Sequence, residues 1–419
     1  MPPHRRLGTM TTATSYSREP VKVLLLENVS TTAVDNFRAE GFHVEVRKGS
    51  LPEAELTRAL ADVQVLGIRS KTQVTPTLLA QAPRLMTVGC FCIGTNQVAL
   101  AEANRHGVPV FNAPFSNTRS VAELVIAEIV ALSRQLGDRS SELHRGVWKK
   151  IATGCHEVRG RTLGIVGYGH IGTQVSILAE SMGLRVIYYD IVTKMPLGNA
   201  RSCSTLAELL GQSDFVTLHV PETAQTRNMI GPEQLAVMKP GACLLNASRG
   251  TVVQINALAN ALRTAHLAGA AVDVYPEEPE SSAADGFKTE LQGLPNVILT
   301  PHVGGSTEEA QSAIGTEVST SLIKFVTQGA TTGAVNFPAV ELPPARGTHR
   351  LLNIHRNVPG VLKDINKAVS DLNANIHAQM LSTDPDIGCL VMDLDQDVSS
   401  DVNAAISRLS TSIKTRILY

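Results

Sequence analysis

The stretch Arg161-Thr-Leu-Gly-Ile-Val-Gly-Tyr-Gly-His-Ile-Gly172 decides how this chain folds. Its first half, Arg161–Val166, is a short apolar run that breaks at a glycine, the pattern of a buried strand. Gly167, Gly169 and Gly172 lead directly into the helical pattern Thr173–Met182. A second strand pattern, Arg185–Asp190, ends on an acid 18 residues beyond Gly172. Strand, glycine turn, helix, strand and acid follow in the order that a dinucleotide site requires. Gly167 permits the tight turn, Gly169 lets backbone N–H groups approach a pyrophosphate, and Gly172 lets helix and strand pack closely. His170 and Ile171 open the helix, where unsatisfied amides and the helix dipole favour a phosphate. Asp190 is placed to accept hydrogen bonds from the ribose hydroxyls. No arginine follows in Ile191-Val-Thr-Lys194 to hold a 2′-phosphate, so NAD is favoured over NADP.

Outward from this unit, strand and helix patterns alternate. Val21–Glu27, His43–Arg47, Val63–Arg69, Leu85–Cys90 and Val108–Phe111 read as strands before it. Phe215–Val220, Cys243–Asn246, Ala268–Tyr275 and Val297–Thr300 read as strands after it. The pattern Ser120–His144 predicts one long helix. Such alternation means βαβ units and parallel sheets, hence an α/β chain of two doubly wound, Rossmann-like lobes. The helix Thr307–Thr327 returns the chain to the first lobe. We therefore expect one lobe over 21–116 and 305–340 and a dinucleotide lobe over 117–304. Glu341–Thr348 is a Pro/Gly-containing linker. Beyond it the order βαββαβ over 349–419 predicts a ferredoxin-like third domain.

With 419 residues, two to four domains and ample cores are expected. Lys+Arg 37 against Asp+Glu 38 leaves a net charge of −1, so no global field draws the chain to nucleic acid or to an anionic membrane. No apolar run reaches the ~18 residues that span a bilayer. The six cysteines lack zinc-site spacing, no metal is expected, and reduced thiols point to the cytoplasm. Residues 1–20 have almost nothing to bury and are expected to be a disordered tail, without a secretory apolar core.

In doubly wound folds ligands sit beyond the carboxyl ends of strands. Three residues there have complementary chemistry: Arg249 in Ala-Ser-Arg-Gly250, Glu278 in Tyr275-Pro-Glu-Glu-Pro279, and His302 in Thr300-Pro-His-Val-Gly-Gly305. Hydride transfer from a 2-hydroxy acid needs a base for the hydroxyl proton, a group that orients that base, and a cation for the carboxylate. His302, Glu278 and Arg249 match these needs. Asp273, at a neighbouring strand end, can accept from the nicotinamide carboxamide, and Ala247 lies beside the cofactor path.

The fingerprint, Asn246-Ala-Ser-Arg-Gly-Thr-Val252, Asp273-Val-Tyr-Pro-Glu-Glu-Pro279 and the Thr300–Thr307 segment resemble the D-2-hydroxyacid dehydrogenase family. Cys90-Phe-Cys-Ile-Gly-Thr-Asn-Gln97, Phe111–Glu123 and His144-Arg-Gly-Val-Trp148 are similar to its short branch. Members of that branch carry a C-terminal ACT domain and oxidise 3-phosphoglycerate. The resemblance covers nearly everything from Val21 to Tyr419. It implies His302 as acid/base, Glu278 as its partner and Arg249 as substrate anchor. It also implies a phosphate site at Arg69, Ser70 and Lys71, with Asn117 and contributions from Lys48 and Lys150. Lys71 stands where relatives often have arginine, and lysine loses the bidentate fork. The resemblance further implies that L-serine is an effector held by His355, Asn357 and Asn375 at a domain–domain interface of a homo-oligomer, a tetramer. A single Gly347 replaces the Gly-Gly hinge of some relatives. 2-Oxoglutarate, with a second anion in place of phosphate, is a further expected substrate. Two other readings remain open: a dehydrogenase of glycerate or 2-hydroxyglutarate, and a nucleotide-sensing co-repressor.

Overall fold

The computed structural model describes residues 20–279, 286–343, 345 and 347–418. The expected N-terminal tail and part of the linker, Pro344 and Arg346, lie outside the described residues, except Pro20. The chain begins with β1 (Lys22–Leu25), α1 (Thr31–Ala39), β2 (His43–Val46), α2 (Glu53–Leu60), β3 (Val65–Ile68), α3 (Pro76–Ala80), β4 (Thr87–Cys90), α4 (Leu100–Arg105) and β5 (Val110–Asn112). Its five strands form one parallel sheet in the order β2-β1-β3-β4-β5. β3 and β4 are buried along their whole length, as strands covered on both faces must be.

Two helices then carry the chain across, α5 (Thr118–Ser133) and α6 (Leu136–His144). The single helix expected over Ser120–His144 is broken at Gln135, which adopts a left-handed φ of 50°. The apolar phase slips at that point. Val121, Val125, Ile129 and Leu132 face the core, whereas α6 buries nothing and exposes Leu136 and Leu143.

The second sheet has seven parallel strands, built from β6 (Thr162–Val166), α7 (His170–Ser181), β7 (Arg185–Tyr189), β8 (Arg201–Ser202), α8 (Leu206–Gln212) and β9 (Phe215–Leu218). It continues through α9 (Pro232–Val237), β10 (Cys243–Asn246), α10 (Ile255–Arg263), β11 (Gly269–Val272) and β12 (Val297–Leu299). Its order is β12-β11-β10-β9-β6-β7-β8, reversing direction beside β6. The topological switch point therefore falls at the glycine turn.

Helix α11 (Glu308–Gln328) starts just after the His302 loop and packs on α1, β4 and β5. The side chain of Thr307 caps it by accepting from the amide of Ala310, and Gly329 ends it at a φ of 73°. At 1.5 Å per residue it spans roughly 30 Å, linking the cleft to the C-terminal domain.

That domain comprises β13 (His349–Arg356), α12 (Val361–Asp371), β14 (Ile376–Thr383), β15 (Ile387–Leu394), α13 (Ser399–Ser407) and β16 (Ser412–Leu418). Its antiparallel sheet has the order β14-β15-β13-β16. One face, with Leu351, Leu390 and Met392, packs on α12 and α13. The other, with Leu352, Ile354, Cys389 and Val391, joins the core of the first lobe around Leu322 and Phe325. Arg416 crosses this contact. Its guanidinium donates to the carbonyls of Phe325 (2.7 Å) and Val326 (3.0 Å), near the carboxyl end of α11, and lies 4.8 Å from the centre of the Phe325 ring. A buried ion pair, Arg350 with Asp393, also donates to the carbonyls of Leu342 and Pro343 and so anchors the linker.

Candidate active site

The glycine turn has the shape its residues require. Gly167 has a φ of 91°, and a Cβ there would lie 2.3 Å from the carbonyl oxygen of His219, so only glycine fits. Gly172 is buried in the first turn of α7. No side chain caps α7, and nothing lies within 4 Å of where a Cβ of Gly169 would stand. The helix therefore starts without a side-chain cap and with room for a close approach at Gly169, a cradle that fits a pyrophosphate. His170 lies against Phe115 of the first lobe, the rings tilted by 34° with their centres 3.8 Å apart. Asp190 follows β7 and is half-buried. Its oxygens accept from the amides of Tyr168 (2.9 Å) and Val192 (2.9 Å), which fixes the carboxylate and leaves lone pairs for a ribose.

The loops after β10, β11 and β12 converge. Asn246 accepts from the amide and hydroxyl of Ser248 and donates to the carbonyl of Arg249, so the strand end itself shapes the segment Ala247–Arg249. A Cβ at Gly250 would stand 1.9 Å from the carbonyl carbon of Tyr275, so glycine lets this loop reach the Glu278 loop. Glu278 Oε1 accepts from the amide of Tyr275 (3.2 Å), and Oε2 meets His302 Nδ1 at 2.8 Å. An ionised carboxylate only accepts, so Nδ1 carries the proton and Nε2 is left for a substrate. The Glu278 bond raises the His302 pKa against the opposing effect of burial, and Arg249 is close enough to lower it. Burial works against the Glu278 charge, yet His302, the Tyr275 amide and Arg249 together hold its pKa below the usual value.

His302 itself has a left-handed φ of 55°. Such a backbone costs about 1–3 kcal/mol and must be held by its surroundings. Asp273 does the holding. Buried at 2% exposure, its carboxylate accepts from the amides of Val303 and Gly304 (2.8 Å each) and the hydroxyl of Thr300 (2.6 Å), and its carbonyl accepts from the His302 amide (2.8 Å). Asp273 thus organises the His302 loop, a task its position in the sequence does not reveal. Behind it lies Glu128 of α5, buried and with Oε1 lacking a partner among the described residues. Burial, with the Asp273 charge, pushes its pKa up to about 8.

The first lobe closes the cleft. Cys92, after β4, lies within electrostatic reach of both Arg69 and Arg249, which brings to one region two arginines that 180 residues separate in the chain. Arg69 is half-buried; Ser70 and Lys71 are exposed. Asn117 precedes α5 at the junction of the lobes. Its Nδ2 lies against Gly305, and its buried Oδ1 has no partner among the described residues. Lys48 and Lys150 are exposed on the segments after β2 and α6. Among the described residues no three His, Cys, Asp or Glu side chains are grouped to hold a metal ion.

The three C-terminal positions do not meet. His355 on β13 is buried, with Nδ1 2.9 Å from Asn353 Oδ1, and burial lowers its pKa. Asn357 donates to the carbonyl of Asp384 at the turn between β14 and β15 (2.6 Å). Asn375 precedes β14, at the other end of that strand, beside a depression of about 340 Å³ shared with Asn366, Ser370 and Asn373. Eight strand residues separate Asn375 from the turn, roughly 25 Å.

Fold and site together define an NAD-dependent 2-hydroxyacid dehydrogenase. Residues 126–304 match the model of the D-isomer specific 2-hydroxyacid dehydrogenase NAD binding domain, and residues 351–414 that of an AHAS small subunit-like ACT domain. The solved D-lactate dehydrogenase from Aquifex aeolicus, complexed with NAD and lactic acid, superposes with a TM-score of 0.65 at 27% identity, over 76% of this chain and all of that one. A D-2-hydroxyisocaproate dehydrogenase gives 0.68 at 25% identity, over 75% and 100%. D-3-phosphoglycerate dehydrogenase of Dictyostelium discoideum is 56% identical over 98% of this chain and 100% of its own length. That of Escherichia coli K12 is 49% identical over 97% and 99%. The chain belongs to the D-3-phosphoglycerate dehydrogenase family.

Proposed function

We propose that this protein oxidises D-3-phosphoglycerate to 3-phosphohydroxypyruvate with NAD, the first step of L-serine biosynthesis. The observation that carries the reading is the His302–Glu278 pair, with Arg249 close by and Arg69 brought to the same region. His302 Nε2 takes the C2 hydroxyl proton, and Glu278 stabilises the imidazolium that forms. Arg249 holds the carboxylate and the developing carbonyl oxygen. Arg69, Ser70, Lys71 and Asn117 receive the phosphate, with Lys48 and Lys150 adding positive charge. NAD, when bound, would supply the hydride acceptor; Gly167, Gly169, His170, Ile171 and Gly172 would cradle its pyrophosphate, Asp190 would hold its ribose, and Ala247 and Asp273 would line its nicotinamide side.

Residues 21–116 with 305–340 are read as the substrate lobe, 117–304 as the NAD lobe and 349–419 as the regulatory domain. No helix among the described residues is long and apolar enough to cross a membrane. The six cysteines are free, in keeping with a reducing cytoplasm.

L-Serine is read as the effector, and its site needs two copies of the chain. β14 is an edge strand with exposed Met380 and Leu381. Antiparallel pairing with the β14 of a second copy would bring Asn375 beside the partner's turn and its Asn357. A separate exposed apolar patch, Leu136, Leu143, Val147, Trp148 and Ile151, suits a second two-fold contact. Two such contacts make a tetramer.

Initial rates with D-3-phosphoglycerate and D-glycerate, NAD and NADP, with and without L-serine, test the reading. Preference for the phosphorylated acid, dependence on NAD and suppression by serine are expected. Equal kcat/KM for the two acids would overturn the phosphate assignment.

A further inference from the structure

The turn after β1 is strained and carries an acid. Glu27 and Asn28 both have left-handed backbone, φ 62° and 54°, although neither is glycine. Two backbone bonds hold the turn: the Leu26 amide donates to Gly67 and the Glu27 amide to Gly49. The effect is to send the Glu27 side chain inward, to 7% exposure. There its carboxylate meets the loop that follows β3. Oε2 accepts from the amide of Lys71 (3.0 Å) and Oε1 from the amide of Thr72 (2.8 Å). From the opposite side Gln97, 5% exposed, donates to the carbonyl of Arg69 at 2.6 Å. The backbone of residues 69–72 is therefore gripped at three points by two buried side chains from β1 and β4 connections.

The charge of Glu27 has the wrong sign for a residue beneath an anion site, so long-range attraction does not explain it. Its geometry does. Two consecutive amides need two acceptor oxygens, and of the side chains of this length only a carboxylate presents both; glutamine would turn an NH2 group toward one of the donors. With the amides of Lys71 and Thr72 and the carbonyl of Arg69 tied down, the loop presents the side chains of Arg69 and Lys71 from a fixed backbone.

We propose that Glu27 is a positioning residue for the substrate's second anionic group, a phosphate ester, acting through the backbone of Arg69–Thr72. This rests on the reading of Arg69 and Lys71 as the phosphate anchors. Glu27 does not touch substrate. It sets where the cations stand, and so sets selectivity between a phosphorylated hydroxy acid and one without phosphate.

The test is steady-state kinetics of the full-length enzyme at saturating NAD, comparing E27Q, R69A, Q97L and the double variant E27Q/R69A on D-3-phosphoglycerate and D-glycerate. E27Q is expected to raise KM for the phosphorylated acid about ten-fold, the factor for one buried amide left without an acceptor. The change in kcat should be smaller than about three-fold, and E27Q should add little in the R69A background. Multiplicative effects of E27Q and R69A, or equal losses on both acids, would overturn the proposal. If R69A raises KM and E27Q does not, the clamp is wrong while the phosphate site stands. If R69A itself leaves KM unchanged, the phosphate reading fails and the clamp with it. Should E27Q not fold, Q97L decides: it releases the Arg69 carbonyl, and an unchanged KM would overturn the proposal.

Discussion

The NAD lobe and the C-terminal domain treat their candidate site residues in opposite ways. Arg249, Glu278 and His302 come from three loops far apart in sequence, and the parallel sheet delivers all three to one cleft of one chain. His355, Asn357 and Asn375 lie within 21 residues of one another, yet the crossover through α12 leaves Asn375 at the entry of β14, the end away from Asn357. Parallel strands share one carboxyl edge, so loops that leave them gather there, whereas a residue that enters a strand lies at the opposite edge; Asn357 leaves β13 and Asn375 enters β14, two strands that run the same way on either side of β15. The lesson is that sequence proximity predicts a shared site poorly, and strand direction predicts it well.

The comparison can be broken most decisively at the self-contained site. H302A should lower kcat by about a thousand-fold, within the range for loss of a general base, while NAD still binds. Turnover and a fluorescence titration of the cofactor would check this, and a near-normal rate would remove the assignment.

The split site makes the opposite demand. N357A and N375A should each abolish most serine inhibition as homo-oligomers. Mixed oligomers of the two should recover part of it, because some interfaces then pair two intact halves. Absence of recovery in verified mixed oligomers would mean that the three residues do not form a site between copies.

A smaller effect sharpens the role of Glu278. Since its bond raises the His302 pKa, E278Q should move the acid limb of kcat/KM for oxidation to lower pH, while the maximum rate falls through poorer orientation of the imidazole. The linkage has a definite sign: stability from the pair is fully present below the ordinary histidine value and is lost as pH rises through the raised one. An unmoved limb would separate Glu278 from His302.

The smallest effect concerns Glu128. Its pKa is raised to about 8 from 4.5, so the folded state loses stability as pH rises across that window. E128Q mimics the neutral acid. It should gain on the order of 1–3 kcal/mol over the native protein at alkaline pH and little at acid pH. Denaturant midpoints at both pH values measure this.

Much of the molecule was legible before any coordinate. The strand, glycine turn, helix and acid of Arg161–Asp190 are local patterns, as are the polar residues at strand ends. The order βαββαβ was equally readable. The long helix over Ser120–His144 was misjudged because the apolar positions continue past Gln135 on a different face, and only packing decides whether a face is covered. Glu128 and Cys92 gave no signal, since an isolated acid in a helix or a thiol beside a strand looks the same whether it lines a cleft or not.

By itself, then, the sequence determined the two-lobed α/β class, the NAD fingerprint and the candidate trio, because these rest on periodicity and on spacing along one strand–turn–helix unit. The tertiary structure alone decided that Arg69 and Arg249 come within reach of the same Cys92, that Asp273 holds the left-handed His302, that Glu27 grips the 69–72 loop and that Asn375 stands apart from His355. Each of those is a pairing of residues brought together, or kept apart, by sheet order and strand direction, which no local pattern encodes.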